Sequence, residues 1–308
     1  MNAIVLMAIG EKYARYLDAV RAPFLEYSSM CGAQLVVCDA APDPSFKRNL
    51  LCQKMLLPDL YRQYEWMAFF DLDMLISCRA PSIFNFTDDR KAFAAVADAR
   101  GSQQFANVVN EYWKQPRILA ETHGSYFSDR GFPDHPFPKA SINGGAWLCK
   151  PASISTMFKE FYFSDFPAMI HEEAMMAYVA QKADLFFELD PRFNVQIIYE
   201  LYRSLHSVAL KEVKSRSFRR FMRYCTDKVP EQQMYPSAYR ALVDEALERC
   251  YCLHFSAGFP YINIGSRVAL DSGIGTVSST ASTMSPLLNA IRGLASRIDS
   301  LSEWLRKS

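Results

Sequence analysis

Two aspartates, Asp71 and Asp73, interrupt a largely apolar run, YEWMAFFDLDMLIS at Tyr64–Ser77. Burying an unpaired carboxylate costs several kcal/mol, roughly, unless a cation or hydrogen-bond donors meet it. Residues i and i+2 of a strand share a face. With Trp66–Phe70 as a strand, both carboxylates aim at one point beyond its end. Two hard oxygen ligands at such a point suit a divalent cation such as Mg or Mn. The D-x-D pair is weak by itself, because 18 aspartates in 308 residues give about one by chance. The apolar strand in front of it carries the weight.

The elements around that pair form a pattern. Ala3–Ala8 reads as a fully apolar strand of the kind buried on both faces of a parallel sheet, and it breaks at Gly10. Tyr13, Leu17, Val20 and Phe24 then recur at helical spacing, and Gly32 ends that helix. QLVVCDA gives a second strand ending in Asp39. Ser45–Tyr64 has a helical pattern with a break at Pro58, WMAFFDLD is a third strand and KAFAAVAD a fourth. This alternation predicts an α/β fold with a parallel sheet core, in which ligands gather at the carboxyl ends of the strands. Ile9–Gly10, Asp39 and Asp71–Asp73 all lie at such ends. Ala99–Ala140 reads as a long aromatic and Pro-rich loop of functional type. SINGGAWLCKP gives a turn running into a short strand, Ile154–Phe163 and His171–Lys182 are helices, and DLFFELD is a further strand.

Composition narrows the function. The chain has 308 residues, half of them hydrophobic, and suits one large α/β domain plus elaborations. A formal net charge of +1 gives no bulk electrostatic case for nucleic acid. The eight cysteines include no CxxC pair, which argues against structural zinc and for a reduced, cytoplasmic setting. MNAIVLMAIG lacks the basic start and length of a signal peptide, and no segment approaches the roughly 20 apolar residues of a membrane span. The expectation is a soluble protein, or one peripheral at the inner face of a membrane. Within the helical segment 200–250, eight Lys/Arg between Arg203 and Lys228 face only Glu212 and Asp227, as a solvated helix face or a binding surface. Residues 271–286 read as a Ser/Thr/Gly linker. In 287–308, Leu287, Ile291, Leu294, Ile298, Leu301 and Leu305 form a heptad seam flanked by Arg292, Arg297, Arg306 and Lys307. That seam fits packing on its own domain, a homo-oligomer, or a peripheral membrane contact.

The pieces together resemble glycosyltransferases of the GT-A fold, particularly retaining, nucleotide-sugar-dependent, glycogenin-like enzymes. The resemblance lies in QKMLLPDLYRQYEWMAFFDLDMLIS, INGGAWLCKP, HEEAMMAYVAQK and LHFSAGF, in order across about Met1–Phe259. It implies a Rossmann-like, mainly parallel sheet flanked by helices over 1–270, with 99–140 on the acceptor side. It also implies that Asp71 and Asp73 hold Mn2+ (or Mg2+) against a diphosphate, Asp71 also near the ribose, and that His254 returns as third ligand. Lys54 and Arg48 would meet phosphates or acidic groups of the donor. Ala8, Ile9 and Gly10 would lie against the nucleoside with Tyr13 nearby, Asp39 would bond a base or ribose edge, and Asn143 and Gly144 would approach the sugar. Gly258 belongs to the late His-Phe…Gly segment. Glu172 or Glu173, opening a helix, would face the anomeric carbon or serve as base, and their angular separation of about 100° lets only one reach the site. The implied partners are a nucleotide-sugar donor, a UDP-sugar, and a glycan or glycolipid acceptor.

Each of these residues has a plainer reading: Lys54 as a surface charge, Asp39 and Asn143–Gly144 as turns, the glutamate pair as helix N-terminal charge, and His254 as a core histidine. One departure stands out, since Phe259, Pro260 and Tyr261 replace the lysine and tryptophan that such enzymes often carry after the late histidine. Three other classes are weighed, one of them a nucleotidyltransferase of related fold, whose Gly-rich, basic signature after the first strand is missing here. A haloacid-dehalogenase-type phosphatase continues its D-x-D with Gly-Thr, where this chain has Met74-Leu75. The third is a non-enzymatic sugar- or membrane-binding scaffold built on the basic segment and tail.

Overall fold

The apolar run near the amino terminus becomes the strand β1, Asn2–Met7, in which Ala3 to Leu6 have no exposed surface. Strands β2 (Ala33–Cys38) and β3 (Met67–Phe70) flank it in parallel register. The computed structural model that shows this describes residues 1–110, 122, 125–136, 140–167, 169–205 and 236–256. Helix α1, Glu11–Met30, crosses from β1 to β2. It starts after Gly10 and ends at Cys31–Gly32, where φ of +61° at Gly32 gives the left-handed turn that glycine adopts without strain.

The main sheet has the order β2-β1-β3-β6-β5-β7, with β5 at Phe93–Ala97, β6 at Ile142–Cys149 and β7 at Phe186–Glu188. Only β6 runs against its neighbours, so the sheet is mixed but mostly parallel. Both of its faces are covered. Met67 and Phe69 pack on one side with Trp147, Phe158 and Met176, and Ala68 and Phe70 on the other with Val20, Phe24 and Phe193. The alternation follows the two-residue period of a strand, and burial on both faces explains why the sequence reads as one continuous apolar run.

A second, three-stranded sheet has the order β4-β9-β8, formed by Met74–Ile76, Cys252–His254 and Val195–Gln196. The strand expected over Trp66–Asp73 thus stops at Phe70, and after the three residues Asp71–Asp73 the chain enters a different sheet. Short helices α2 (Leu57–Leu60) and α3 (Gln103–Val108) and longer ones α4 (Pro151–Phe163), α5 (Glu173–Lys182), α6 (Ile197–Leu205) and α7 (Pro236–Arg249) complete the described elements. None of the described helices is long and apolar enough to cross a membrane.

Several expectations are corrected. No helix spans Ser45–Tyr64: the chain is irregular up to a 3-10 turn at Cys52–Leu56 followed by α2, with Pro58 in the first turn of α2, where its missing N–H is tolerated. The cause is a set of side-chain bonds that compete with helix formation. Asp43 accepts from the N–H groups of Ser45 and Lys47, each at 2.9 Å, and from the Tyr162 hydroxyl at 2.8 Å. Gln53 bonds both backbone groups of Asp43. The region 99–140 contains α3, capped by Ser102, and a 3-10 turn at Ser128–Arg130. Asn143–Gly145 is not a turn but lies inside β6, the longest strand. Of the basic segment, residues 206–235 lie outside the described residues, while Arg203 pairs with Glu200. Gly258, the linker 271–286 and the heptad segment 287–308 also lie outside them.

Arg48 is the clearest displacement from an expected role. Its guanidinium is buried and donates to four backbone carbonyls at and just past the end of α4: Tyr162 at 2.6 Å, Phe166 at 2.9 Å, Ser164 at 3.1 Å and Pro167 at 3.2 Å. The side chain is a clamp on that turn, with four of its five N–H donors committed to backbone carbonyls. Arg48→Met is therefore expected to cost about 3 kcal/mol or more in urea unfolding, because the carbonyls lose their partner in a buried setting. Arg48→Lys should recover only part of that, since one ammonium cannot span four acceptors. A variant of unchanged stability would contradict the clamp.

Candidate active site

The site begins where β3 ends. The N–H of Asp71 donates to the Gly145 carbonyl of β6 at 2.7 Å, one further rung of the β3–β6 ladder. Leu72 turns into the core, so Asp71 and Asp73 emerge on the same side and both stay partly exposed. The chain then enters β4, whose Met74 is the antiparallel partner of His254 on β9. That register, reinforced by the Phe255 N–H donating to the Asp73 carbonyl at 2.8 Å, carries a residue 181 positions away to Asp73. His254 Nε2 lies 3.3 Å from Asp73 Oδ1. One ligand atom from each of Asp71, Asp73 and His254 falls within 4.8 Å of the others.

Lys54 enters from the 3-10 turn ahead of α2. Its Nζ is 2.8 Å from Asp71 Oδ1, 3.1 Å from Asp71 Oδ2 and 2.9 Å from Glu172 Oε1, and it lies over the Phe69 ring. With the side chain only 5% exposed, Lys54 bridges two carboxylates, which corrects its reading as a surface charge. Burial alone would lower the lysine's pKa, but Asp71 and then Glu172 outweigh it and raise it. Glu173 accepts from the Gly144 N–H at 2.8 Å. Burial and then the neighbouring Glu172 push the Glu173 carboxyl up to about 7, against the pull of that N–H and of Lys54. Asp71 is pushed up to about 6 by burial, with Lys54 opposing and Asp73 adding to the rise. Asp73 goes the other way: burial would raise it, but His254 holds it below the usual carboxylate range. The His254 ring is raised, since Asp73 and Asp71 outweigh the burial that works against its charged form.

Both glutamates reach the site, contrary to the expectation that only one could. Glu172, the N-cap of α5, keeps helical angles (φ −73°, ψ −22°), so the pair still diverges, and the two carboxylates meet different partners there: Glu172 the Lys54 ammonium and Glu173 the Gly144 N–H. Two glycines of β6 make the room. A Cβ on Gly144 would lie 2.5 Å from Glu172 Oε1 and 3.0 Å from Glu173 Cγ, and one on Gly145 would lie 2.4 Å from His254 Cε1. Asn143 Oδ1 accepts from the Gly145 N–H at 3.0 Å and from Asn194 Nδ2 at 2.7 Å, and Asn194 Oδ1 meets His254 Nδ1 at 2.9 Å.

The structure thus gathers Asp71, Asp73, His254, Lys54, Asn143, Gly144, Glu172 and Glu173 into one contiguous cluster. Tyr13 stands beside it: its phenol is raised by partial burial and then by Asp71 and Asp73, with Lys54 opposing. Ala8 and Ile9 lie past the end of β1, next to β3, followed by Gly10 with φ of +87°. Asp39 is exposed past the end of β2, one strand further out. Arg48 is not part of the cluster. Asn194 went unread in the sequence, although Asp190-Pro191, a cap residue followed by proline, signals the 3-10 turn Pro191–Asn194 that holds it.

No family model matches the chain, and no curated protein matches it in sequence. Solved structures resemble it. The apo structure of WbbM, a bifunctional glycosyltransferase, aligns with a TM-score of 0.50 at 11% identity over 85% of this chain and 48% of that one. The galactosyltransferase LgtC in complex with donor and acceptor sugar analogs aligns at 0.45 and 13% identity over 90% and 98%. Mouse xyloside xylosyltransferase 1 in its apo form aligns at 0.40 and 11% identity over 84% and 99%. At such identities the likeness speaks to fold, and the fold is of the GT-A type.

The steric demand at Gly145 is directly testable. Gly145→Ala must push the His254 ring out of its place, so Mn2+ affinity by calorimetry is expected to fall at least about tenfold while the circular dichroism spectrum stays native. Unchanged affinity would show that the ring position does not matter to the site.

Proposed function

We propose that this chain is a metal-dependent glycosyltransferase that moves a sugar from a nucleotide-diphosphate sugar, a UDP-sugar, to a hydroxyl of a glycan or glycolipid. The convergence of Asp71, Asp73 and His254 at the carboxyl end of β3 carries the proposal. Two carboxylates and one imidazole form a donor set suited to Mn2+ or Mg2+. The observed geometry fits: Asn194 occupies His254 Nδ1, leaving Nε2 on the side of Asp73. Four carboxylates sharing one lysine and one histidine also leave room for positive charge.

A divalent cation bound there supplies Lewis-acid stabilisation of the charge that develops on the leaving diphosphate. The chain's own residues do the rest. Lys54 holds Asp71 and Glu172 together and keeps the Asp71 oxygens in place. Asn143, its Oδ1 already engaged, offers Nδ2 to a sugar hydroxyl, and Gly144 lets the sugar approach the backbone. Ala8, Ile9, Gly10, Tyr13 and Asp39, strung along the carboxyl ends of β1 and β2, line the side suited to the nucleoside. Glu173 is free of the lysine bridge that holds Glu172, which makes it the better placed to stabilise positive character at the anomeric carbon. Retention of configuration follows from the family resemblance. The acceptor faces the segment 99–140.

The purified protein is expected to release nucleoside diphosphate from one member of a nucleotide-sugar panel with Mn2+ and not with a chelator. Asp73→Asn should lower that turnover at least about 100-fold, on the order of 3 kcal/mol of transition-state stabilisation. Its metal-free stability should fall modestly, because the depressed Asp73 carboxyl contributes stability at neutral pH through His254. Asp59→Asn, whose ion-pair partners among the described residues are Lys159 and Arg62, serves as the control. Metal-dependent turnover by Asp73→Asn at the normal rate would overturn the proposal.

A further inference from the structure

Asn194 is 5% exposed and both ends of its amide are engaged. Its partners are far away in sequence, 51 residues to Asn143 and 60 to His254. The direction of every bond in this chain follows from one backbone group. The Gly145 N–H can only donate, so the Asn143 atom facing it, at 3.0 Å, is the oxygen Oδ1. An oxygen there needs a donor from Asn194, which turns Nδ2 toward Asn143 at 2.7 Å. The remaining end of Asn194 is then its oxygen, which faces His254 Nδ1 at 2.9 Å and accepts a proton from it. With Nδ1 protonated, the lone pair of the neutral ring sits on Nε2, on the Asp73 side.

We propose that Asn194 is a positioning residue: it fixes the His254 ring with Nε2 presented to a divalent cation, and it ties that ring to Asn143, the amide beside the sugar position. The inference rests on the reading of Asp71, Asp73 and His254 as cation ligands. It adds a link between the cation and sugar sides of the site that runs through the three side chains and one backbone amide. The same link explains why Gly145 tolerates no side chain, since the ring it crowds is the one Asn194 holds. Partners of this kind on a ligating histidine set the tautomer and orient the ring.

The two arms can be cut separately. Asn194→Leu removes both, whereas Asn194→Asp keeps an acceptor for Nδ1–H and loses the donor toward Asn143. In titrations of the full chain with Mn2+ alone, read by the resonance of free Mn2+, Asn194→Leu is expected to bind at least about tenfold more weakly. Asn194→Asp should stay within about threefold of the wild type or bind more tightly, because a carboxylate is a stronger acceptor for the imidazole N–H. A histidine-labelled wild-type protein, taken up in pH until the His254 signal stops moving, should show the neutral ring protonated at Nδ1, with the signal identified by its loss in His254→Gln. This last readout needs no Asn194 variant to fold. Wild-type Mn2+ binding together with equally tight binding by Asn194→Leu, or a ring protonated at Nε2, overturns this inference alone. Absence of Mn2+ binding by the wild type takes down the cation reading and this inference together.

Discussion

Four carboxylates strung along one line of neighbours, Asp73 to Asp71 to Glu172 to Glu173, at the edge of a hydrophobic core set the terms for everything around them. Asp71, Asp73, Glu172 and Glu173 repel, and water cannot fully screen them where they sit. Two local cations keep the arrangement together in the ligand-free protein: Lys54 between Asp71 and Glu172, and His254 against Asp73. Removing one partner of such a pair is costly because the other charge stays behind. The 3-10 turn that delivers Lys54, the residue position ahead of α5 that delivers Glu172, and the paired glycines of β6 all serve this charge balance.

The site also joins the two sheets. Asp71 still follows the ladder of the main sheet through Gly145, and Asp73 already belongs to the small sheet through Phe255. The cluster is intact only when β4 and β9 are paired in the observed register, because that register places His254. A ligand that binds the assembled cluster would stabilise the docking of the small sheet on the large one, since binding to the native state alone raises its stability.

Much of this could be read from the sequence, for local reasons. Apolar runs buried on both faces announce β1 and β3 directly, and Gly10 and Gly32 punctuate the helix between them. The D-x-D pair stands out because charge is rare after such a run. His254 was legible only through resemblance, since a three-residue strand whose partner, Met74 opposite His254, lies 180 positions away leaves no periodic signal. The segment from Ser45 to Leu51 misled because its helical spacing is overruled by side-chain bonds of the flanking Asp43 and Gln53, held in place by Tyr162, which no window of neighbouring residues contains. Arg48 looked like a phosphate ligand for the same reason that Lys54 did: charge near the motif. Only the distant partners separate a clamp on backbone carbonyls from a bridge between carboxylates. Asn194 was missed because an amide in a short turn carries no motif of its own.

The central claim is that Asp71, Asp73 and His254 exchange their internal ion pairing for one shared divalent cation. Anomalous diffraction at the manganese edge, from crystals grown with Mn2+ and a nucleoside diphosphate, tests it most directly. The account predicts a single strong peak within coordination distance of carboxylate oxygens of Asp71 and Asp73 and of His254 Nε2, at about 2.0–2.3 Å, with His254 Nδ1 still on Asn194. Nucleotide bound with no manganese at these three residues, and the Asp73–His254 pair left intact, would contradict it.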